Sequence, residues 1–504
     1  MFSPATTTPL QRSLILSTVT LVTLLYAMTV TIANVALPQM QGALAATQDQ
    51  IAWVVTFNIV ATAVMTPLAG WLAARYGRRR LMLWAVLGFA GSSLLCGLAG
   101  SLETLVLYRI LQGGFGAPLV PVSQAIVLDT YPKQQHGMAT AVFGMGVIIG
   151  PILGPTLGGY LSEALNWRWV FFMIVPVALL AWLGVIVFIH DRSENFQAGQ
   201  HQVRLDWTGF LSLAVAVAAL QLMLDRGQRN DWFESSEIVV YASVAGLAFY
   251  FFIAHSLTAR APFLNPALFR DRNYVLGLLI VLVFGMLNFT PMTLLPALLQ
   301  NLSGYPDSII GFLLGMRGLG TLIGFTLLLF INRVDPRYLL ALGFLLQAFA
   351  GWQMAQFDLN LTTFDVAWTS CLQGLGVGLV WVPVTLVTFA TLDPKLVGEG
   401  TAIFHLLRNV GSSIFISISI ALVLYTSSVS YSDMMPFISP FNENFRLPFN
   451  TGAWSLDSLA GLNALSRETS RQSAMLGYIS AFYFFTLTSL VVLPLLLLVR
   501  WRRS

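Results

Sequence analysis

Few residues of this chain can hold charge or move a proton, and those inside apolar runs limit its chemistry. His405 lies six residues after Glu399 and three before Arg408, so in a helix the three occupy neighbouring turns. Histidine titrates in the physiological range, so this group could couple proton movement or simply be packed and hydrogen-bonded. Arg109 opens the stretch Arg109-Ile-Leu-Gln112-Gly113-Gly114-Phe-Gly116 at or just inside an apolar boundary. An arginine in lipid is costly unless paired or wet, which makes it a functional candidate, with snorkelling to headgroups as the alternative. Arg317 is an uncompensated charge inside a run, able to attract an anionic group or to neutralise carbonyls at a helix break. Asp225 and Asp129 stand at run ends. Asp225 could serve as a coupling acid or as a local ion pair with Arg226. Asp129 could couple protons, cap structure or pair with a loop arginine. No Walker loop and no cluster of metal ligands is present, so enzyme chemistry, a metal site and a cofactor are not expected.

Composition sets the context. Of 504 residues, 56% are hydrophobic and only 10% charged, against about 25% charged in an ordinary soluble protein. Such a chain cannot cover a water-facing surface of its size, which excludes a soluble enzyme, a nucleic-acid binder and a disordered scaffold. The net charge of +4 comes mostly from arginines scattered between apolar runs rather than gathered on one face. Cys96 and Cys371 lie inside such runs and suggest neither a disulfide framework nor a metal site.

Fourteen apolar stretches are long enough to cross a bilayer: 13–36, 51–73, 81–99, 104–128, 138–161, 169–190, 207–224, 237–256, 274–298, 309–331, 338–356, 364–389, 400–425 and 475–499. Each must be helical, because lipid offers the backbone no hydrogen-bond partner. With a cytoplasmic N-terminus, the loops and tails of that side carry seventeen Lys and Arg, among them Arg12, Arg75, Arg78, Arg79 and Arg80, against seven opposite. That excess predicts both termini in the cytoplasm.

An internal repeat runs through these spans. Leu111-Gln112-Gly113 returns as Leu372-Gln373-Gly374, and Gly137, Thr140, Ala141, Phe143 and Gly150 match Gly398, Thr401, Ala402, Phe404 and Gly411 at the same offset. The expected organisation is a first six-helix bundle (1–205), two inserted helices (206–257) packed at the periphery, and a second six-helix bundle (258–504). The second bundle carries a long outer loop at 426–473. Two like bundles around a central cavity are transporter architecture, with substrate bound near the midplane. Asn34, Trp53, Asn58, Gln112, Gln124, Asn288, Gln373 and Trp381 are polar or amphipathic residues within spans that could line it. Gly70 and Gly77, in Gly70-Trp-Leu-Ala-Ala-Arg-Tyr-Gly77-Arg-Arg-Arg80, suit close helix approach and a tight reversal. Gly146, Gly150, Pro151, Gly154, Pro155, Gly158 and Gly159 make a smooth, bent face, either a static packing surface or a bendable seam between the halves.

These motifs, together with Thr31-Ile-Ala-Asn34-Val-Ala-Leu-Pro38, Trp167-Arg168-Trp169 and Leu224-Asp225-Arg226-Gly227, carry a resemblance. The chain resembles the major facilitator superfamily and, within it, the 14-spanner drug/proton antiporters of EmrB/QacA type, most closely the EmrB branch. The resemblance implies an all-α polytopic protein of the bacterial inner membrane with the major facilitator fold. It further implies efflux of small hydrophobic compounds driven by proton entry. It also implies a tripartite pump, with an EmrA-like periplasmic membrane-fusion adaptor and an outer-membrane channel of TolC type. The long outer loop would dock the adaptor or cap the outer vestibule. Four positions depart from the family pattern. Thr29 and Ser480 stand where acids are usual, Ala74 replaces an aspartate, and Ile174 replaces an asparagine. With the usual coupling acid missing, His405, Asp225, Asp129, Arg109 and Arg408 are the candidates for proton coupling. An exporter of a lipid-like or metabolite substrate with another coupling, and a sensor that lost transport, stay open as alternatives.

Overall fold

The structure, a computed structural model, describes residues 8–190, 205–259, 262–330, 334–439, 441–443, 454, 456 and 458–499. Among the described residues there are helices and no strands. The first group is α1 (Pro9–Ala43), α2 (Gln48–Met65), α3 (Leu68–Tyr76), α4 (Arg78–Leu98), α5 (Leu102–Gly116), α6 (Leu119–Thr130), α7 (His136–Ala164), α8 (Trp169–Phe172) and α9 (Ile174–Phe188). Then come α10 (Trp207–Arg226) and α11 (Ser236–Thr258). The last group is α12 (Arg272–Asn301), α13 (Asp307–Phe330), α14 (Pro336–Met354), α15 (Thr363–Phe389), α16 (Val397–Met434), α17 (Leu459–Val491) and α18 (Leu493–Leu497).

The starts and breaks follow local chemistry. Thr8, Thr47, Ser101 and Thr362 each close a capping box, and Asp206, Asp271 and Asp335 accept N–H groups of the turns they open. Pro67 lies in the break that bends α2 against α3 by 54°, and Pro118 parts α5 from α6. Gly77 turns the chain between α3 and α4 at φ 86°, a conformation open to glycine. Each of the fourteen apolar stretches overlaps a helix among the described residues. Among the described residues, eleven helical stretches are long and apolar enough to cross a membrane, twelve if bent α2 and α3 count as one span. Helices α7 and α14, of 29 and 19 residues, stand outside that tally.

Two bundles result. In the first, α1 packs along α7 and against α6 and α9, while α5 lies between α2 and α4. In the second, α15 lies between α13 and α14, and α16 packs on α12 and α17. The bundles meet where α7 touches α13 and α15, and where α16 touches α3 and α6.

The two inserted helices do not behave alike, which corrects the expectation that both are peripheral. Only α11 is, resting mainly on α10. Helix α10 is wedged against both bundles: Gln221 donates to Ser413 (2.9 Å), Ser417 donates to the Leu224 carbonyl (2.7 Å), and Asp225 accepts from Thr56. Polar side chains on one face of an otherwise apolar helix fix it there.

The outer loop expected over 426–473 is also largely helix. Helix α16 continues to Met434 and α17 already begins at Leu459. Tyr425 to Asp433 is polar enough to end an apolar run, but it contains no Gly or Pro, and the first breaker is Pro436. At 38 and 33 residues these helices are about 57 and 50 Å long, well beyond a hydrocarbon core of about 30 Å.

Candidate functional site

The glycine face of α7 lies within the first bundle, not between the halves. A Cβ on Gly146 or Gly150 would stand 2.7 Å from the carbonyl oxygens of Thr20 and Leu24 on α1, and one on Gly158 2.7 Å from Ile32. Gly154 faces Thr31, whose hydroxyl also donates to the Pro151 carbonyl (3.3 Å). The seam therefore joins α1 to α7 at backbone distance, while Gly159 is only half-buried. The side chains of Pro155 and Asn34 lie outside the described residues.

Inter-bundle contacts gather at the end that carries both termini. Gly70 on α3 presses on α16, where a Cβ would meet the Glu399 Cα at 2.7 Å. Beside it Arg78 pairs with Asp129 and donates to the Ala125 carbonyl (3.2 Å), and Glu399 accepts the Asn265 backbone N–H (2.6 Å). One step deeper, Gly144 on α7 lets the Trp381 and Phe325 rings of the second bundle approach, and His405 of α16 hydrogen-bonds Gln124 of α6.

Further inside, each bundle buries an arginine. Arg109 is 1% exposed: its Nε donates to the Val54 carbonyl (3.0 Å) and its guanidinium to Gln112 Oε1 (2.6 Å), and Gln112 passes a bond to Ser93 (2.7 Å). Asn58 donates to the Arg109 carbonyl (2.8 Å), and the guanidinium sits 5.7 Å from the Phe171 ring. This is a satisfied internal arginine, so the snorkelling alternative does not hold. In the second bundle Arg317 donates to Gln373 Oε1 and to Asn288 Oδ1 (2.6 Å). Among the described residues its hydrogen-bond partners are side-chain and backbone amide oxygens and include no carboxylate.

At the interface Arg408 donates to the neighbouring Asn409 Oδ1 (3.0 Å), and its guanidinium lies 5.5 Å from the Trp381 ring. Trp381 in turn contacts Phe284, Phe404 and His405, with centroids 5.6 to 6.0 Å apart. Tyr26 on α1 lies beside Gly116 of α5, with its ring 6.4 Å from that of Phe89. Trp53, at 36% exposed, stands on the open side of α2.

The expected trio of Glu399, His405 and Arg408 is not one hydrogen-bonded cluster; each side chain bonds elsewhere. Asp225 does not pair with Arg226, which bridges Glu237 at 2.9 Å instead. Sequence reasoning passed over Tyr26, Ser93 and Phe171. Tyr26 had a signal, as the only aromatic residue of α1. Ser93 and Phe171 had none, because their partners lie 19 and more residues away on other helices.

The sequence profile of the Major Facilitator Superfamily matches residues 19–416. The chain is 34% identical over 420 residues to the "Multidrug export protein EmrB" of Escherichia coli K12, covering 82% of this chain and 80% of that one. To the "Fatty acid resistance protein FarB" of Neisseria gonorrhoeae it is 32% identical over 418 residues, 82% of this chain and 81% of that one. The crystal structure of the human organic anion transporter MFSD10 superposes with a TM-score of 0.61 at 14% identity, over 97% of this chain and all of that one. With its profile match, its paired bundles and relatives at this level of identity, the chain belongs to the major facilitator superfamily, among proteins of the EmrB type.

Proposed function

We propose that this protein is a multidrug exporter of the bacterial inner membrane that moves small hydrophobic compounds outward by alternating access. The observation that carries the reading is the closure of one end of the paired bundles, through Gly70 on Glu399 and Gln124 on His405. Separating those contacts opens the same interface from the other side, which is what alternating access requires. The printed names of the EmrB and FarB relatives support export. The arginine-rich end that carries the termini faces the cytoplasm under the positive-inside rule. The working units are 1–205 and 258–504, with 206–257 inserted. Asn58, Gln112, Asn288 and Gln373 shape the cavity through the arginines they bond, while Trp53, Gln124 and Trp381 meet substrate. Protons are exchanged through His405, with Asp225 and Asp129 as the next candidates. An EmrA-like adaptor and a TolC-type channel complete the path, docked on the projecting ends of α16 and α17.

The test is efflux of a fluorescent hydrophobic substrate by everted vesicles under an imposed pH gradient, for wild type and His405→Ala. Gradient-driven flux that disappears in the variant supports antiport through His405. Undiminished flux removes His405 from the mechanism. Flux blind to the gradient sinks antiport, and no flux at all sinks the export reading.

A further inference from the structure

The two inserted helices are clamped into one body at both ends. At the end away from the termini, Glu237 of α11 accepts from Arg226 (2.9 Å) and Asn230 (2.8 Å), and a Cβ on Gly227 would stand 2.8 Å from the Trp232 ring. At the other end Asp206, which caps α10, accepts from His255 of α11 (2.9 Å). Polar links at both ends hold α10 and α11 against shearing past one another.

This hairpin is fastened to the two bundles unequally. Toward the second bundle, Gln221 donates to Ser413 of α16 (2.9 Å), and Ser417 of α16 donates to the Leu224 carbonyl (2.7 Å). Leu224 lies in the last turn of α10, whose carbonyls a helix leaves to outside partners. At the other end Asp206 also accepts the Phe263 N–H (3.0 Å), and the Phe210 and Phe263 rings lie 5.4 Å apart. Two residues further on, the Asn265 N–H is bonded to Glu399, again on α16. Toward the first bundle α10 packs more extensively, along α2, but among the described residues one hydrogen bond joins the two helices, from Thr56 to Asp225. Inside a bilayer these attachments differ in kind. Lipid tails are as apolar as the side chains, so an apolar face can shear along its neighbour, whereas buried hydrogen bonds must break first.

On the alternating-access reading above, on which this rests, we propose that α10 and α11 travel with the second bundle, and that the face of α10 on α2 is a sliding surface of the transport cycle. Ser413 and Ser417 lie eight and twelve residues beyond His405 on α16, about 12 and 18 Å farther from the closed end. Helices α2 and α16 themselves hardly touch, and α10 bridges them. It is a strap across this flank of the paired bundles: fixed to α16, it keeps the flank covered while α2 moves beneath it. Thr56 and Asp225 form the catch that lets go as α2 moves.

The test ties α10 to α16 and reads transport. Gln221→Cys and Ser413→Cys are introduced together into full-length protein that lacks Cys96 and Cys371, and are bridged by a short bis-methanethiosulfonate reagent. The purified protein is placed in liposomes under an imposed pH gradient, with ethidium and pyrene-1-butyrate as probes. Flux of whichever probe wild type carries is expected to stay within about twofold of its value after dithiothreitol removes the bridge, because a link inside one rigid body leaves its motion unchanged. A larger loss that reduction restores shows that α10 parts from α16 in each cycle; it overturns the strap and leaves export standing. Should the variant be inactive without the bridge, spin labels at exposed Gly42, Phe233 and Tyr425 decide, in protein that keeps Gln221 and Ser413. During turnover the Phe233–Tyr425 pair is expected to give one distance and the Gly42–Tyr425 pair at least two. More than one distance for Phe233–Tyr425, or one for both pairs, overturns the strap. Absence of flux of both probes in wild type overturns the export reading itself.

Discussion

Gln112 and Gln373 occupy matching positions of the internal repeat, and each accepts a hydrogen bond from a buried arginine, borne on its own helix in the first bundle and on a neighbouring helix in the second. Arg109 lies one turn before Gln112 on the same helix, α5, whereas Arg317 reaches Gln373 from α13 across to α15. Backbone packing confirms the match, because Gly113 abuts the Asn58 carbonyl and Gly374 abuts the Arg317 carbonyl. Asn58 and Arg317 are thus counterparts. The guanidinium is kept beside the glutamine in both bundles although the residue that bears it has changed.

If the glutamine is what makes a buried cation tolerable, its loss leaves charged donors unpaired. Gln112→Leu is expected to cost about 2–3 kcal/mol, the scale of a lost hydrogen bond to a charged group, and Gln112→Glu to restore the acceptor. Thermal unfolding in detergent reads both variants. A Gln112→Leu protein melting with wild type shows that Ser93 and the Val54 carbonyl suffice.

The α1–α7 seam makes a contrast between glycines that look alike in sequence. A Cβ on Gly150 stands 2.8 Å from the Met28 nitrogen and 2.7 Å from the Leu24 oxygen, so Gly150→Val must push two backbones apart at a cost of about 1–3 kcal/mol. Gly91 and Gly246 have nothing within 4 Å, and alanine there is expected to be neutral or to stabilise the helix by up to about 1 kcal/mol. Equal melting temperatures for Gly150→Val and Gly91→Ala would refute the seam.

Gly70 lies where the two bundles touch at the terminus-bearing end, and any side chain there would meet Glu399 backbone rather than a movable side-chain tip. Gly70→Val is expected to disfavour the closed arrangement by about 1–3 kcal/mol, shifting the population toward the open one roughly tenfold. Spin labels on α3 and α16 should report a larger mean separation than in wild type. An unchanged distance distribution excludes Gly70 as a control point.

Asp206 gives the inserted pair a pH dependence. Burial pushes its carboxyl up, but the Gly209 N–H, His255 and the Phe263 N–H outweigh that and hold it below the ordinary carboxylate value. A carboxyl lowered in the folded state contributes stability above its unfolded value of about 3.9, and that stability is lost as pH falls through the folded value. Wild type is therefore expected to lose stability relative to Asp206→Asn below about pH 4. Melting curves of the two proteins that stay parallel down to pH 3 would remove the contribution.

Much of this was legible in the sequence. Span positions follow from runs of apolar residues that nothing else explains, and the repeat exposed the correspondence of Gln112 and Gln373 before any coordinate did. Partners were not legible. Arg109 finds Val54 and Arg317 finds Asn288 across helices 55 and 29 residues apart, and no local pattern specifies which faces meet. The placement of α10 was missed because Gln221 and Asp225 look like ordinary polar residues of a surface helix. The length of α16 was misjudged on hydropathy, although the spacing of helix breakers would have given it.

The uninterrupted run of α16 from Ser412 to Met434, without glycine or proline, makes it a stiff rod anchored near His405 at one end. Over the arm of about 44 Å from His405 to Met434, a tilt of roughly 10° displaces the far tip by about 8 Å. A tilt of α16 that parted Gln124 from His405 would therefore be magnified along the lever, and anything resting on the projecting tips of α16 and α17 would be moved mechanically by the making or breaking of one hydrogen bond at the opposite end of the helix.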